Sequence, residues 1–233
     1  MPELPPPLPP DQRTVGQLIA ETIRFYGAHF WRALPLGLPL AVVDFEAAVH
    51  HTIGVQIALF LGATPLFVAG YLWACRLMLE AAPTATAAVV ATLIWLPFPA
   101  LRAFYVLPAI AWLAFIGLSV PAAMTEGLGF RAALARGRRL GLADYVHALG
   151  SLAALVVVVG VAEEALAALL HTQSDNGARA ALFLSDLVLS PMLFLGGALL
   201  YVDQAARVRS PHADLHPPVD SDRARRADAQ VEP

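Results

Sequence analysis

Seven ionisable side chains stand inside otherwise apolar sequence. Asp44, Glu46, His50 and His51 share one stretch, Glu163 and Glu164 a second, and Asp186 lies in a third. Carboxylates and imidazoles are the groups that hold divalent metals, relay protons or coordinate cations. Glu46 and His50 are four residues apart and share a helix face; Asp44 and His51, seven apart, share another. A charge at the centre of a membrane-spanning helix costs about 2.5–3.5 kcal/mol on insertion scales, so such groups face a bundle interior or a wet cavity. Three uses are open: a proton or cation pathway, a metal site, or plain contact of span ends with headgroups and loops. No HExxH, GxSxG or Walker loop is present, and the single cysteine, Cys75, excludes an internal disulfide and a CxxC site. No catalytic residue and no cofactor is implied.

A second group is basic and aromatic. Arg131, Arg136, Arg138 and Arg139 alternate with Leu128, Ala132, Ala135 and Leu140 just after Glu126, the pattern of an amphipathic helix against anionic headgroups. Tyr201, Asp203 and Arg207 close the last apolar run. Asp203 and Arg207 are four apart and can pair on one helix face, with the ring and the Arg residues anchoring at the interface. The alternative partner for Asp203 is an Arg of the 125–144 segment.

The elements that must position these residues are membrane spans. Tyr145–Leu170 and Ala180–Val202 exceed the roughly 20 apolar residues that cross a ~30 Å hydrocarbon core as helix. A mean hydropathy of +0.64 with 14% charged residues fits an integral membrane protein and excludes a soluble domain. The spans expected are about 33–51, 53–74, 85–101, 104–122, 145–170 and 180–202. The third and fourth meet at a Pro-broken junction, Trp95–Arg102, where a re-entrant pair is the alternative. Prolines at 35, 39, 65, 97, 99, 108 and 191 kink or break five of the six, and each frees a carbonyl that neighbours must satisfy.

The fold class is therefore an all-α polytopic bundle. Residues 1–12 form a disordered Pro-rich tail, 13–209 the membrane domain, and 210–233 a disordered, charge-mixed tail. The start, MPELPPPLPPDQ, lacks the basic and apolar regions of a signal peptide, so insertion is expected to begin at an internal helix. Arg13–Trp31 has a 3-4 apolar spacing through Val15, Leu18, Ile19, Thr22, Ile23, Tyr26 and Phe30. It reads as an amphipathic helix on the membrane surface, capped by Thr14 or Asp11 and anchored by Trp31, or else as a solvated extension of the first span. All basic residues are Arg, and 13 of the 15 fall on the side of the two tails, leaving Arg102 and Arg179 opposite. The positive-inside rule then places both termini in the cytoplasm of a multi-pass cell-membrane protein. In that orientation Asp44 is near the midplane, and Glu46, His50, Glu163, Glu164 and Asp186 gather in the outer half. If they share a cavity, their repulsion leaves at least one carboxyl holding a proton.

Three stretches carry a resemblance: Arg13–Tyr26 (RTVGQLIAETIRFY), Pro121–Leu140 (PAAMTEGLGFRAALARGRRL) and Leu200–Arg209 (LYVDQAARVR). Together they resemble the membrane domain of glycerophosphoryl diester phosphodiesterases and its stand-alone bacterial relatives of unknown function. The resemblance covers roughly residues 13–209. It implies an amphipathic lead helix, a Pro-x-x-x-x-Glu exit at Pro121 and Glu126 and a Tyr-x-Asp end at Tyr201 and Asp203, around a six-helix bundle of the bacterial inner membrane. The family's Arg-Ser pair in the internal helix is Arg136-Gly137 here. The family's catalytic domain, with its His and Glu metal site, has no counterpart in this sequence, so the resemblance implies no catalysis.

The expected function is that of a non-enzymatic bundle that binds membrane lipids or other membrane proteins in envelope physiology. The runner-up is a transporter or ion-coupled permease using the outer carboxylates, and an intramembrane metal hydrolase on Glu46, His50 and Glu163 comes last. A net charge of −3 points to no nucleic-acid partner, and oligomeric state is not readable. The topology is directly testable. A reporter fused after Val202 should report cytoplasm and one inserted at Gln173 the external side; opposite results at both points overturn the orientation.

Overall fold

The computed structural model describes residues 9–48, 50, 52–170 and 175–209. His51, the bulk of the Pro-rich tail and the 210–233 tail lie outside the described residues. Every regular element among those described is helical. In chain order they are α1 (Val15–Ala28), α2 (Phe30–Ala33), a 3-10 turn (Leu34–Gly37), α3 (Leu38–Ala47), α4 (Ile53–Leu79), α5 (Ala85–Trp95), α6 (Phe98–Phe104), α7 (Val106–Ile116), α8 (Ser119–Thr125), α9 (Phe130–Ala143), α10 (Tyr145–Leu170), α11 (Asp175–Leu189) and α12 (Pro191–Arg209). Five stretches are long and apolar enough to cross a membrane: Ile53–Leu79, Ala85–Arg102, Val106–Thr125, Tyr145–Leu166 and Arg179–Arg209.

The expected first span, 33–51, is not one helix. Pro35 and Pro39 lack the N–H that a continuous ladder needs, so the chain takes a 3-10 turn at Leu34–Gly37 and re-enters helix as α3, which stops at Ala47. The last span is likewise two pieces, α11 and α12, divided before Pro191. Between α6 and α7 a single extended residue, Tyr105, turns the chain.

Breaks of this kind strand carbonyls in an apolar interior, and aromatic donors meet them. Pro121 has no N–H for the Gly117 carbonyl, which instead takes a long bond from the Val120 N–H (3.4 Å) and one from the Tyr71 hydroxyl (3.2 Å). Trp112 Nε1 donates to the Ile94 carbonyl at 3.0 Å, where α5 stops ahead of Pro97. Trp73 Nε1 donates to the Arg32 carbonyl at 3.0 Å, ahead of Pro35. The Tyr26 hydroxyl reaches the Val188 carbonyl at 2.7 Å, just before the α11–α12 break. Burial pushes the Tyr26 phenol up to about 12, so it stays a donor across the physiological range.

α1 begins in a capping box. The Gln17 N–H donates to Thr14 Oγ1 and the Thr14 N–H to Gln17 Oε1. Its apolar face does not lie free for headgroups, as the surface-helix reading expected. Leu18, Thr22 and Tyr26 are buried because α1 packs on α12 and α10. Two cores result. One is aromatic: Phe67 stacks on Trp95 (centroids 5.0 Å apart) and meets Phe60, Phe98 and Phe194. The other joins Leu18, Leu118, Leu140, Leu155 and Leu200 from α1, the α7–α8 joint, α9, α10 and α12.

α9 is the basic segment expected over 125–144. Its Arg131, Arg138 and Arg139 are exposed, while Ala133, Gly137, Leu140 and Gly141 face α7 and α8. A Cβ on Gly137 would sit 2.0 Å from Ser119 Oγ and 2.4 Å from the Ser119 nitrogen, and one on Gly141 2.5 Å from the Ala114 carbonyl oxygen. The hydroxyl can rotate away; the backbone cannot. Gly137→Ala should therefore lower stability by about 1–3 kcal/mol through overpacking. Gly27→Ala, in open space on α1, should be neutral or slightly stabilising. Thermal unfolding of both variants in detergent checks the contrast, and equal melting temperatures would remove the close-contact account.

Candidate functional site: two polar centres and an apolar cavity

The ionisable groups of the sequence separate into two centres at opposite ends of the bundle. α10 touches both. Asp144 immediately precedes it and Glu163 lies near its far end; from 144 to 163 the rise is roughly 28 Å at 1.5 Å per residue.

At the first centre Arg13 pairs with Asp203 and, at 2.9 Å, with Glu21 Oε2. Asp203 is fully buried and Arg13 nearly so. Arg207 does not pair with Asp203, as the four-residue spacing allowed. It binds Asp144 Oδ2 at 3.0 Å and the Arg13 carbonyl at 2.9 Å. Nor does Asp203 meet an Arg of α9. The reason is packing: α1 lies along α12 and brings Arg13 to the face that Asp203 occupies. Beside this cluster, Arg136 Nε donates to both Glu126 oxygens at 2.9 and 3.1 Å. The Tyr201 hydroxyl reaches Glu126 Oε1 at 2.9 Å and Thr125 Oγ1 at 2.6 Å. Arg138 lies over the Phe115 ring at 5.9 Å, and Arg131 and Arg139 point outward. Arg13, Glu21 and Asp144 were absent from the sequence-derived candidates. A 190-residue separation leaves no local spacing to reveal the Arg13–Asp203 pair.

At the second centre the structure brings together Asp44, Glu163 and Asp186 with Arg102. Arg102 Nη2 lies 3.4 Å from Asp44 Oδ1, and its guanidinium is over the Phe60 ring at 4.6 Å. The Glu163 and Asp186 carboxyls lie close to each other. Asp186 is 2% exposed, and its Oδ2 has no further partner among the described residues. Glu46 and His50 are not part of this centre. Two residues from Asp44 on α3, Glu46 turns to an outer groove beside Val42, Val55 and Leu59, and His50 is exposed. Glu164 is exposed next to Glu163 and lines no part of the cavity described below. Among the described residues no three His, Cys, Asp or Glu side chains are grouped to hold a metal. Arg102 entered the sequence reading only as a minority charge. Its place at the Pro-broken junction, on the sparsely charged side, was the available indication.

A cavity of about 220 Å³ runs from this centre into the bundle. Its wall follows α10 from Leu152 through Leu155, Val156, Val159 and Gly160 to Glu163, roughly 16 Å of helix. Opposite stand Phe67, Tyr71, Trp95, Phe98, Ile110 and Phe194, and the inner end is closed by Gly117, Leu118 and Leu200. Asp44, Arg102 and Glu163 are the charged groups lining it, all at the end where exposed Val106 forms the rim. A long apolar slot with charge at one end matches the two halves of an amphiphile.

Comparisons with protein-family models, with curated proteins and with solved structures find no match in any of the three.

The two centres respond differently to neutralisation. Asp203→Asn leaves buried Arg13 with Glu21 as its remaining counter-charge and should cost about 1.5–3 kcal/mol. Glu163→Gln replaces one of two neighbouring carboxyls by an amide that can donate to Asp186, so it should be neutral or stabilising. Thermal unfolding of the two variants decides it. A stable Asp203→Asn, or a Glu163→Gln as damaging as Asp203→Asn, would overturn this assignment.

Proposed function

We propose that this chain is a non-enzymatic integral membrane protein of the bacterial inner membrane whose bundle binds one lipid-like molecule in the Leu152–Glu163 cavity. The observation that carries the proposal is the cavity itself, apolar along its length and charged at its mouth. The membrane crosses the bundle between the two polar centres, whose spacing along α10 is close to the ~30 Å of a hydrocarbon core. In this reading the chain crosses six times. The broken run Phe30–Ala47 makes the first crossing beside the five longer stretches, and the Arg-rich end with both termini is cytoplasmic.

The resemblance to the membrane domain of glycerophosphoryl diester phosphodiesterases is part of the proposal. Its three stretches are far apart in sequence, yet they meet at one end of the bundle. Arg13 of the first pairs with Asp203 of the third, and Tyr201 of the third bonds Glu126 of the second, which holds Arg136. Chance likeness of three short segments does not predict that convergence.

A second reading, an ion-coupled permease, draws on one observation: two neighbouring carboxyls, Glu163 and Asp186, stand at the charged end of the cavity.

Native mass spectrometry of the purified protein should show one retained amphiphile per chain. Gly160 lines the cavity, and a Cβ there meets nothing within 4 Å. Gly160→Leu should therefore fill the slot and expel the lipid while the protein stays folded. Undiminished retention in a folded Gly160→Leu protein would overturn the cavity as the binding site. Proton flux in proteoliposomes, abolished by Asp186→Asn, would favour the permease.

A further inference from the structure

The charges at the mouth select a ligand class. Resting on the lipid-binding reading above, we propose that the cavity takes a single-chain amphiphile with a cationic head, its chain along α10 and its ammonium or other cation between Asp44 and Glu163.

Two observations carry this. The first is size. About 220 Å³ is below the usual ~300–1,000 Å³ of small-molecule pockets, and the slot is one helix face long, so it admits one hydrocarbon chain and not two. The second is charge. The mouth is lined by two carboxyls, Asp44 and Glu163, with a third, Asp186, beside Glu163, against one guanidinium, Arg102. Arg102 is already engaged by Asp44 and by the Phe60 ring. Carboxyls therefore outnumber cations at this centre, and exposed Glu164 adds to them from the neighbouring position. An anionic head would meet that excess in a poorly solvated setting where like charges repel strongly. A cation would complete it. Salt screening is weak at such a site, so the preference persists at physiological ionic strength.

The probes are three amphiphiles with the same photoactivatable diazirine chain and different heads: a primary amine, an alcohol and a phosphate monoester. Each is added to the full chain in lipid nanodiscs, and labelling is mapped by peptide mass spectrometry. The expected result is labelling of the Leu152–Glu163 wall by the amine at a concentration at least tenfold lower than by the other two. Glu163→Gln should cut that preference severalfold. Arg102→Gln, which removes the guanidinium lining the mouth, should raise it, so the two variants move in opposite directions and a general loss of fold cannot imitate both. Equal labelling by all three heads, or a preference for the phosphate, overturns the cationic assignment and leaves the lipid-binding reading intact. Absence of labelling on this wall by any head overturns both.

Discussion

The structure depends on keeping backbone carbonyls satisfied where helices break inside an apolar interior. Water is absent there, and an unpaired carbonyl costs several kcal/mol. Prolines at 35, 39, 97, 99, 121 and 191 make such breaks unavoidable in this chain. Tyr26, Tyr71, Trp73 and Trp112 each send a donor across to another helix to meet a carbonyl at a break. Each bond is also a distance restraint between elements far apart in sequence. Tyr71, for example, fixes α4 against the α7–α8 joint while its ring lines the cavity. The polar tips of aromatic residues thus do two tasks, closing the backbone and shaping the space between helices.

Much of this architecture was legible in the residues. The apolar runs gave the helical class and the membrane-length stretches, and α10 fell on Tyr145–Leu170 as expected. Thr14 as the cap of α1 and the amphipathic α9 were also readable, because caps and periodicity are local. Pairings between distant helices were not. Asp203 has a basic neighbour at the right spacing, Arg207, yet its partner is Arg13, because helix packing outweighs a surface pair worth only a few tenths of a kcal/mol. The candidate outer cluster was divided for a similar reason. Asp44 and Glu46 are two residues apart, which on a helix points them in nearly opposite directions, so only one can face the cavity. Depth along the chain placed both in the same layer, but depth does not specify azimuth.

The two polar centres differ in how completely they are used. At the Arg13 end the charges are largely cross-paired, and the interactions tie α1, α10 and α12 together. At the Arg102 end the carboxyls outnumber the cation, and the excess lies beside an open slot. A bundle meant only to pack would not place its least balanced charges at the mouth of an apolar cavity. That asymmetry is why the functional reading is built at the Arg102 end and the cohesion of the bundle at the other.

The Arg13–Asp203 pair also orders events in time. Its members are among the first and the last described residues, 190 apart, so translation delivers Arg13 long before Asp203 exists. Throughout that interval α1 has an apolar face and no α12 to cover it, and the bilayer surface is the nearest apolar medium. In the finished fold α12 and α10 cover that face, so the arrival of α12 would be the step that converts an uncovered helix into a packed one. A chain truncated before Asp203 would then present α1 as an unassembled amphipathic segment, a form that membrane quality-control proteases can recognise.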